Sequence, residues 1–174
     1  MDFKSPTFRS DEPPSSLFTG HFSGRDVFVS MIRDALACAS REGWREIILS
    51  DASFEDWPLN ERVVIDSLHA WAKTGRQLIL LANGYEELIR RHARFVAWRK
   101  TWGHLVDCCV NQSKVGPDLP SAIWSAGWCL QRIDTSNNMG ICSNDRGFIS
   151  ALKEVLDDKK RHSRAGFSAS VLGL

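Results

Sequence analysis

Two continuous apolar segments on either side of one amphipathic helical stretch constrain the fold of this chain more than any other feature of its sequence. The segments are residues 46–50 (EIILS) and 77–81 (QLILL). Strands that are covered by helices on both faces read as unbroken apolar runs, whereas half-exposed strands alternate between apolar and polar residues. The apolar stripe between the two segments consists of Val64, Ile65, Leu68, Trp71 and Ala72. Residues 45–82 therefore predict a βαβ unit, which places the chain in the α/β class.

Further periodic segments flank this unit and extend the predicted sheet. They are a helix from Ser23, a helix from Asn83, a strand at 105–110, a hairpin of 122–133 and 139–142 around a turn at 134–138, and a helix from Asp145. Strands that alternate with helices form parallel pairs, and a hairpin adds an antiparallel pair. We therefore expect a mixed, largely parallel sheet that is flanked by helices and has a C-terminal hairpin and helix.

The two ends of the chain differ in composition from its centre. Residues 1–20 contain three prolines and several serines with no helical or strand period, which predicts a flexible N-terminal tail. One α/β domain is expected at residues 21–160, followed by a C-terminal tail at 161–174. Because the end of this second tail is apolar, we expect it to dock on this domain or on another copy of the chain.

The charge balance and the lack of a long apolar run exclude several classes of protein. A formal net charge of +1 over 174 residues gives no global field that would recruit an anionic membrane or nucleic acid, so neither is expected as a partner. No apolar run approaches the roughly 18 residues of a membrane-spanning helix. Residues 1–6 lack the apolar core of a signal peptide. A cytoplasmic protein is therefore expected.

The cysteines and glycines form none of the common metal or cofactor motifs. Five cysteines occur without the paired spacing of a zinc site or a redox Cys-x-x-Cys motif, so buried, reduced thiols are expected. The first predicted strand is not followed by a glycine-rich nucleotide loop. The sequence therefore predicts neither a bound metal nor a cofactor.

Carboxylates follow the first predicted strand directly. Asp51 and Asp56 lie in the loop at its carboxyl end, and open parallel sheets bind their ligands at such strand ends. Together with Glu55, these residues could perform acid–base chemistry or bind Mg²⁺. Equally, carboxylates just before a helix interact favourably with its N-terminal dipole, and this explanation requires no substrate. Both interpretations place Asp51 and Asp56 at the edge of the expected site.

A basic cluster marks the helix that follows the second predicted strand. Arg90, Arg91 and Arg94 lie close together in the sequence, and Trp98 and Trp102 follow them. Arginines among aromatic residues are typical of contact with phosphate or nucleic acid. The simpler interpretation is a solvated helix face, which we favour. The three arginines are nevertheless the best candidates for a phosphate contact in this sequence.

The order of the elements and the predicted hairpin resemble one repeat of the phospholipase D-like fold. Enzymes of that family carry His-x-Lys-x-x-x-x-Asp on the first hairpin strand, and residues 127–134 can be laid on this motif. Only Asp134 matches, because Gly127 and Cys129 occupy the histidine and lysine positions. In the family the histidine attacks phosphorus and the lysine stabilises phosphate charge, so the resemblance implies a chain without that nucleophile. Residues 140–144 (GICSN) loosely resemble the family's second element, Gly-Ser-x-Asn.

Residues 22–158 are more similar to small uncharacterised bacterial domains of this type that lack the catalytic motif. The segments that carry the similarity are 45–51, 56–58, 78–82, 85–88 and 91–95. This resemblance implies a binding or interaction domain without a known activity. Family enzymes bring two repeats together to build one site, so a single repeat implies a homodimer.

Two functions from different classes are consistent with these observations. In the first, the chain is a non-catalytic phospholipase D-like domain that holds an anionic, phosphate-bearing ligand or a protein partner. In the second, it is a phosphoesterase or phosphotransferase that uses residues other than those of the family. Candidate residues for the second function are Asp51, Asp56, His104 and Asp134. A histidine and a carboxylate that converge within hydrogen-bond reach in a concave pocket would favour the enzyme.

Overall fold

An open sheet of eight strands with helices on both faces makes up residues 16–167, the part of the chain that the computed structural model describes. Its strands are β1 (Gly20–Ser23), β2 (Glu46–Ser50), β3 (Gln77–Ala82), β4 (Val106–Asn111), β5 (Ser121–Trp124), β6 (Cys129–Asp134), β7 (Met139–Ser143) and β8 (Ser163–Ala165). Its helices are α1 (Arg25–Glu42), α2 (Arg62–Ala72), α3 (Glu86–Arg91), α4 (Ala93–Thr101) and α5 (Arg146–Arg161). The strand order is β1-β7-β6-β5-β2-β3-β4-β8. Residues 1–15 and 168–174, which belong to the two predicted tails, lie outside the described part.

The central βαβ unit is present, and the α/β class is confirmed. Strands β2 and β3 pair in parallel with Ile47 opposite Leu78, and α2 connects them. Ile47 and Leu49 pack into the core on the face covered by α1 to α4, whereas Ile48 packs into the core on the face covered by α5. Because successive residues of a strand point to opposite faces, burial on both faces requires an unbroken apolar run.

The expectation of a largely parallel sheet is wrong. Only β2–β3 and β3–β4 pair in parallel among the described strands, and the other neighbouring strands are antiparallel. The short connections between β5, β6 and β7 can only reverse the chain direction, since a parallel pair requires a crossover of about a dozen residues or more. The sheet is therefore mixed, with its parallel part confined to the centre.

The segment predicted as one long strand at 122–133 consists of two antiparallel strands, β5 and β6. They are joined by a turn in which the Ser125 hydroxyl donates to the Trp128 carbonyl at 2.6 Å and accepts from the Trp128 N–H at 3.1 Å. This hydroxyl supplies the turn chemistry that strand propensity alone does not reveal. The following β6–β7 hairpin and helix α5, which Asp145 caps through the Phe148 N–H at 2.9 Å, lie where the sequence places them.

Two further elements differ from the prediction. The predicted third helix is divided at His92, whose backbone leaves the helical region (φ −119°, ψ 57°). The first helix lacks the predicted cap from Ser23, because that residue ends an additional short strand, β1, and Gly24 takes the N-cap position. Strand β1 pairs antiparallel with β7 and is one of the two outermost strands of the sheet.

Part of the predicted C-terminal tail docks on its own domain. Residues Ser163–Ala165 pair with β4 as the other edge strand, and the Phe167 ring stacks on Tyr85 at a centroid distance of 5.5 Å. Tyr85 donates its hydroxyl to the carbonyls of Leu80 and Cys109, which fixes the ring against the sheet. Within residues 16–167, no helix is both long and apolar enough to cross a membrane.

Candidate functional site

The strand directions bring three separate parts of the chain together at the edge of the sheet that the carboxyl ends of β2 and β6 form. Strands β2 and β6 are both antiparallel to β5, so their carboxyl ends lie at the same edge. Across β5, Ala122 faces Ser50 of β2 and Ser121 faces Arg132 of β6. Strand β1 also ends at this edge, and α1 begins there. The loop after β2, the β6–β7 turn and the N-terminus of α1 therefore meet.

A buried arginine lies at the centre of this meeting point. The Arg132 side chain is only 2% exposed, and its guanidinium contacts two carboxylates. Its Nη2 lies 3.0 Å from Asp51 Oδ1, while Nη1 and Nη2 lie 2.5 and 3.1 Å from the two oxygens of Asp56. The Asp51 side chain is buried and that of Asp56 is 31% exposed. Arg132 thus forms ion pairs with both carboxylates that the sequence places after β2.

Arg132 makes two further hydrogen bonds and one aromatic contact. Its Nε donates to Ser121 Oγ at 2.8 Å and its Nη1 donates to Asn138 Oδ1 at 2.9 Å. The guanidinium carbon also lies 4.0 Å from the centre of the Phe28 ring, at a distance that allows a cation–π interaction. Because all three guanidinium nitrogens are bonded inside the protein, Arg132 forms the floor of the site rather than a free ligand-binding group.

The loop after β2 is shaped by Asp51. Its Oδ2 accepts hydrogen bonds from the backbone N–H groups of Ser53 at 3.1 Å and Phe54 at 2.8 Å. Phe54 adopts a left-handed backbone conformation (φ 59°) that is uncommon for a bulky residue. Asp51 therefore has two functions, since one oxygen neutralises Arg132 and the other organises the loop that carries Asp56.

The N-terminus of α1 is fixed by the β6–β7 turn. Gly24 has φ 107°, which favours glycine, and its N–H donates to the Asn138 carbonyl at 3.1 Å. No side chain within residues 16–167 caps the start of this 18-residue helix. The next residue, Arg25, is exposed and forms no ion pair with any residue that the structure describes. An uncapped helix start and an unpaired cation therefore lie side by side.

These groups surround a cleft of about 410 Å³, which we call the edge cleft. Its lining residues are Arg25, Asp51, Ala52, Ser53, Glu55, Asp56, Arg91, Arg132, Thr135 and Ser136. Three arginines balance three carboxylates, and three hydroxyl groups complete the polar lining. Arg91 is exposed and shares its guanidinium between Glu55 at 3.0 Å and Glu87 at 2.9 Å.

The structure brings three of the six predicted ligand-binding residues together and separates the other three. Asp51, Asp56 and Arg91 line the edge cleft. Arg90 is exposed outside this lining and pairs with Glu87 at 2.6 Å. The other two lie apart as well: Arg94 donates to the Asn60 carbonyl at 2.8 Å, and Asp134 accepts from the Asn137 side chain at 2.7 Å.

The Asp134 carboxylate stabilises the β6–β7 turn. It accepts hydrogen bonds from both the side chain and the backbone N–H of Asn137, and these bonds lower the pKa of Asp134. The two residues that occupy the family's histidine and lysine positions lie at the other end of β6. Gly127 is in the exposed turn before the strand, and Cys129 is fully buried. The three motif positions therefore do not converge on one site.

Sequence reasoning missed Arg132, although a signal for it exists. Leu130 and Arg132 are two residues apart on one strand, so both point to the same face of the sheet. Leu130 belongs to the core beneath α1, and an arginine that faces an apolar core requires a carboxylate partner. Asp51 and Asp56 were the available carboxylates at the same edge.

Of the four residues considered for catalysis, Asp51 and Asp56 line the edge cleft, but His104 and Asp134 do not. His104 precedes β4 and lies at the opposite edge of the sheet, with its ring 6.0 Å from that of Trp102. Desolvation raises the pKa of the Cys129 thiol to about 11, which favours the protonated thiol over the reactive thiolate at neutral pH. Across residues 16–167, no group of three or more histidine, cysteine or acidic side chains could hold a metal ion.

One histidine does lie near the site. His92 lines a smaller cleft of about 380 Å³ that adjoins the edge cleft and also contains Glu55 and Asp56. Its Nε2 is 2.7 Å from the Phe54 carbonyl oxygen, and neither ring nitrogen bonds a carboxylate that the structure describes. The histidine–carboxylate pair that would favour an enzyme is therefore not present among the residues that line these two clefts.

A larger cleft of about 480 Å³ lies farther along the same edge of the sheet. Its polar side chains come mainly from the ends of β3 and β4 and the loop that follows, and include Asn83, Asn111, Lys114 and Arg164. Most of its lining is exposed, and none of the residues predicted from the sequence contributes to it. The edge cleft is the better candidate because buried, fully bonded side chains fix its shape.

Comparison with known proteins identifies a fold neighbour. No protein-family model matches the chain, and no curated protein matches it. A solved structure of TrmBL2, an archaeal chromatin protein with a novel mode of DNA binding, has a similar fold, with a TM-score of 0.64 and 14% sequence identity. The similarity covers 90% of this chain and 56% of the TrmBL2 chain, so this protein spans little more than half the length of its neighbour. At this identity the comparison shows the fold alone.

The sequence-based expectation against nucleic acid as a partner is wrong. It rested on a net charge of +1, but a chromatin protein that binds DNA shares this fold. Net charge describes the whole surface, whereas phosphate contacts depend on a few local cations. The small net charge of this chain is therefore no argument against nucleic acid as a partner.

Proposed function

We propose that this protein is a non-catalytic binding domain that holds a phosphate-bearing ligand in the edge cleft. The observation that carries this proposal is that Arg25, which has no ion-pair partner among the described residues, lies at the start of α1 beside a cleft where Arg132 is ion-paired with both Asp51 and Asp56. Arg132 offsets one of these two negative charges, and Arg25 and Arg91 offset the other and that of Glu55, so the lining as a whole presents no net negative charge to an anion. Helix N-termini attract anions through their free N–H groups and the helix dipole.

Two arginines provide the cations for this ligand. Arg25 forms no ion pair with the described residues, and the ion pairs of Arg91 with Glu55 and Glu87 are exposed. Exposed ion pairs contribute only about 0–1 kcal/mol, so exchanging Glu55 for a phosphate costs little. The hydroxyl groups of Ser53 and Thr135 can donate further hydrogen bonds to phosphate oxygens.

The phospholipase D-like identity is part of this proposal. The α/β order, the β6–β7 hairpin and the following helix support it. With Gly127 and buried Cys129 at the histidine and lysine positions, such a domain has kept a scaffold without the family's covalent chemistry. The homodimer and the cytoplasmic location that the sequence suggests stay predictions.

Nucleic acid is the second candidate ligand, because its backbone presents the same phosphate chemistry. The observation that favours it is the fold shared with DNA-binding TrmBL2. A small phosphate ester and a nucleic-acid backbone differ in how their affinity responds to salt, since a polyanion releases several counterions on binding. The salt dependence of the binding affinity therefore distinguishes a small phosphate ester from nucleic acid.

The test is an equilibrium titration of the full chain with inorganic phosphate, a dinucleotide and a short DNA duplex. Arg91→Gln removes a cleft cation, and Arg90→Gln is its matched control, since both residues pair with Glu87 but only Arg91 lines the edge cleft. We expect Arg91→Gln to weaken phosphate binding by about tenfold, as a lost charge-assisted hydrogen bond predicts, with Arg90→Gln close to the wild type.

The outcomes distinguish the candidates. Tighter binding of the duplex than of inorganic phosphate, with a steep salt dependence that Arg91→Gln reduces, would identify nucleic acid as the ligand. Binding of phosphate and the dinucleotide without a further gain from the duplex would identify a small phosphate ester. If none of the three probes binds, or if both variants weaken binding equally, the proposed function is wrong.

A further inference from the structure

Two exposed cations line the larger cleft and take no part in the edge cleft. Lys114 lies in the loop after β4, and Arg164 lies in β8, opposite Val110 near the carboxyl end of β4. Neither cation forms an ion pair with any residue in the described range 16–167. Asp118 is the only acidic side chain among the described residues that line this cleft. The larger cleft therefore presents a net positive charge, whereas the charges that line the edge cleft balance.

The larger cleft and the edge cleft are neighbours, joined by one backbone hydrogen bond. The Asn83 N–H donates to the Ala52 carbonyl at 3.0 Å, and Ala52 lines the edge cleft while Asn83 lines the larger cleft. Strands β2, β3 and β4 are parallel, so the loops that follow them lie side by side along one edge of the sheet. The loops after β2 and β4 are two strands apart, which corresponds to roughly 10 Å.

The loop that carries Lys114 is held in place on both sides of that residue. Before it, the Ser113 hydroxyl donates to the Val115 carbonyl at 2.7 Å. After it, the Pro117 carbonyl accepts a hydrogen bond of 2.6 Å from Nζ of Lys159, a buried residue of α5. Helix α5 therefore anchors the wall of the larger cleft.

The spacing of the cations determines which ligand can use both clefts. A single phosphate can occupy only one of two sites that lie roughly 10 Å apart. It should prefer the edge cleft, because the start of α1 adds free N–H groups there, whereas exposed cations alone attract a phosphate weakly. Once one phosphate of a longer ligand is bound, a linked phosphate reaches the second site at a high effective concentration. The larger cleft should therefore contribute to binding only when the ligand carries several phosphates.

Nucleic acid fits both the spacing and the lining. One strand of a duplex presents a phosphate about every 3.4 Å along its axis, so three to four nucleotides cover roughly 10 Å. The larger cleft also contains the neutral amide side chains of Asn83, Asn111 and Gln112. Amide groups form hydrogen bonds with sugars and bases as well as with phosphates, and a ligand made of phosphate alone would leave the first two uses unfilled.

We propose that a nucleic acid lies along this edge of the sheet, with backbone phosphates at Arg25 and Arg91 in the edge cleft and at Lys114 and Arg164 in the larger cleft. This inference rests on the proposed function, because the edge cleft supplies the first phosphate contact. It decides between the two candidate ligands and adds a second contact site.

The test measures the affinity of the full chain for inorganic phosphate, a linear inorganic polyphosphate and a short DNA duplex at several salt concentrations. The test variant combines Lys114→Gln with Arg164→Gln. The matched control combines Lys73→Gln with Arg76→Gln, two exposed residues that precede β3 at the opposite edge of the sheet and form no ion pair with described residues. Both double variants remove two positive charges, so the net charge changes equally.

The wild type should bind the duplex more tightly than either inorganic probe. The test variant should weaken duplex binding by about tenfold at low salt and make the slope of log affinity against log salt shallower by about two, since each phosphate contact contributes about 0.9. It should bind inorganic phosphate as the wild type does, and the control should keep the wild-type slope. Thermal melting checks that each variant is folded. Lys114→Gln alone, in an exposed loop, is the second variant and should change the slope by about one.

The inference and the proposed function fail in different ways. If the wild type binds inorganic phosphate but binds the duplex no more tightly, the inference is overturned and the proposed function stands. Equal losses of duplex binding in the test variant and the control overturn the inference, because the effect is then one of net charge. Polyphosphate that binds as tightly as the duplex overturns the assignment of nucleic acid. If the wild type binds none of the three probes, the proposed function is wrong and the inference falls with it.

Discussion

The Arg132 guanidinium lies over the Phe28 ring, with 4.0 Å between its central carbon and the ring centre. Phe28 belongs to α1 and Arg132 to β6, so this contact joins the helix whose N-terminus borders the edge cleft to the strand that forms its floor. Asp51 and Asp56 hold the same guanidinium from the loop after β2. One buried side chain therefore connects α1, β6 and the loop after β2.

The first prediction concerns this buried network. Arg132→Met leaves Asp51 and Asp56 without their cation, and it should lower the free energy of unfolding by about 3–5 kcal/mol. Urea denaturation measures the loss. As a control, the triple variant with Asp51→Asn and Asp56→Asn added should recover much of it, because no uncompensated carboxylate remains. A loss below about 1 kcal/mol in Arg132→Met would mean that the network is not buried in solution.

The second prediction tests the close packing of the β6–β7 hairpin. A methyl group at Gly140 would overlap the Gln131 carbonyl oxygen and lie 2.7 Å from the Phe22 ring. Gly140→Ala should therefore destabilise the protein by about 1–3 kcal/mol in urea denaturation. Gly127→Ala is the matched control, since nothing lies within 4 Å of its new methyl group, and it should change stability by about 0.5 kcal/mol or less. Equal effects of the two substitutions would contradict the hairpin register.

The third prediction is a pH dependence that arises from His92. Burial holds the pKa of His92 in the folded protein below its ordinary value of 6.5. As the pH falls below 6.5, the unfolded chain binds the proton first, so stability is lost between that value and the lower folded pKa. Between about pH 8 and about pH 5, the wild type should lose more stability than His92→Gln. Chemical denaturation at both pH values measures this difference, and identical losses would show that His92 is not buried as a neutral ring.

The fourth prediction concerns the thiols. All five cysteines are buried and free, and desolvation raises the pKa of every one of them, to about 11 for Cys38 and Cys129. None should react with an alkylating reagent in the native protein at neutral pH, because the reactive thiolate is scarce and shielded. All five should react in denaturant, as mass spectrometry would show. Rapid labelling of Cys129 in the native protein would contradict this prediction. It would instead support a reactive cysteine at the position of the family's lysine.

The sequence predicts the centre of the fold because burial there leaves a clear pattern. The apolar runs of β2 and β3 are too short for typical helices, and together with the helical stripe between them they fit a βαβ unit. The elements outside this centre are harder to predict from the sequence. The turn that separates β5 from β6, for example, depends on one hydroxyl, that of Ser125. The short edge strands β1 and β8 depend on pairing with distant strands rather than on their own composition.

The candidate site is predictable in position but not in detail. A loop at a strand end places Asp51 and Asp56 correctly at the edge of the sheet, whereas spacing alone gives no reason to prefer Arg91 over Arg90 or Arg94. That choice depends on the break at His92 and on the loop that Glu55 brings beside Arg91. Contacts between segments distant in sequence decide which cations face a cleft, and such contacts leave no local pattern.

The central claim is that phosphate binds in the edge cleft, and a two-dimensional amide NMR titration of the full chain with inorganic phosphate tests it most directly. We predict that the largest shifts occur at Arg25, Ser53, Thr135 and Ser136, which border that cleft. Shifts centred instead on Lys114 and the larger cleft, or no saturable shifts at all, would contradict the claim.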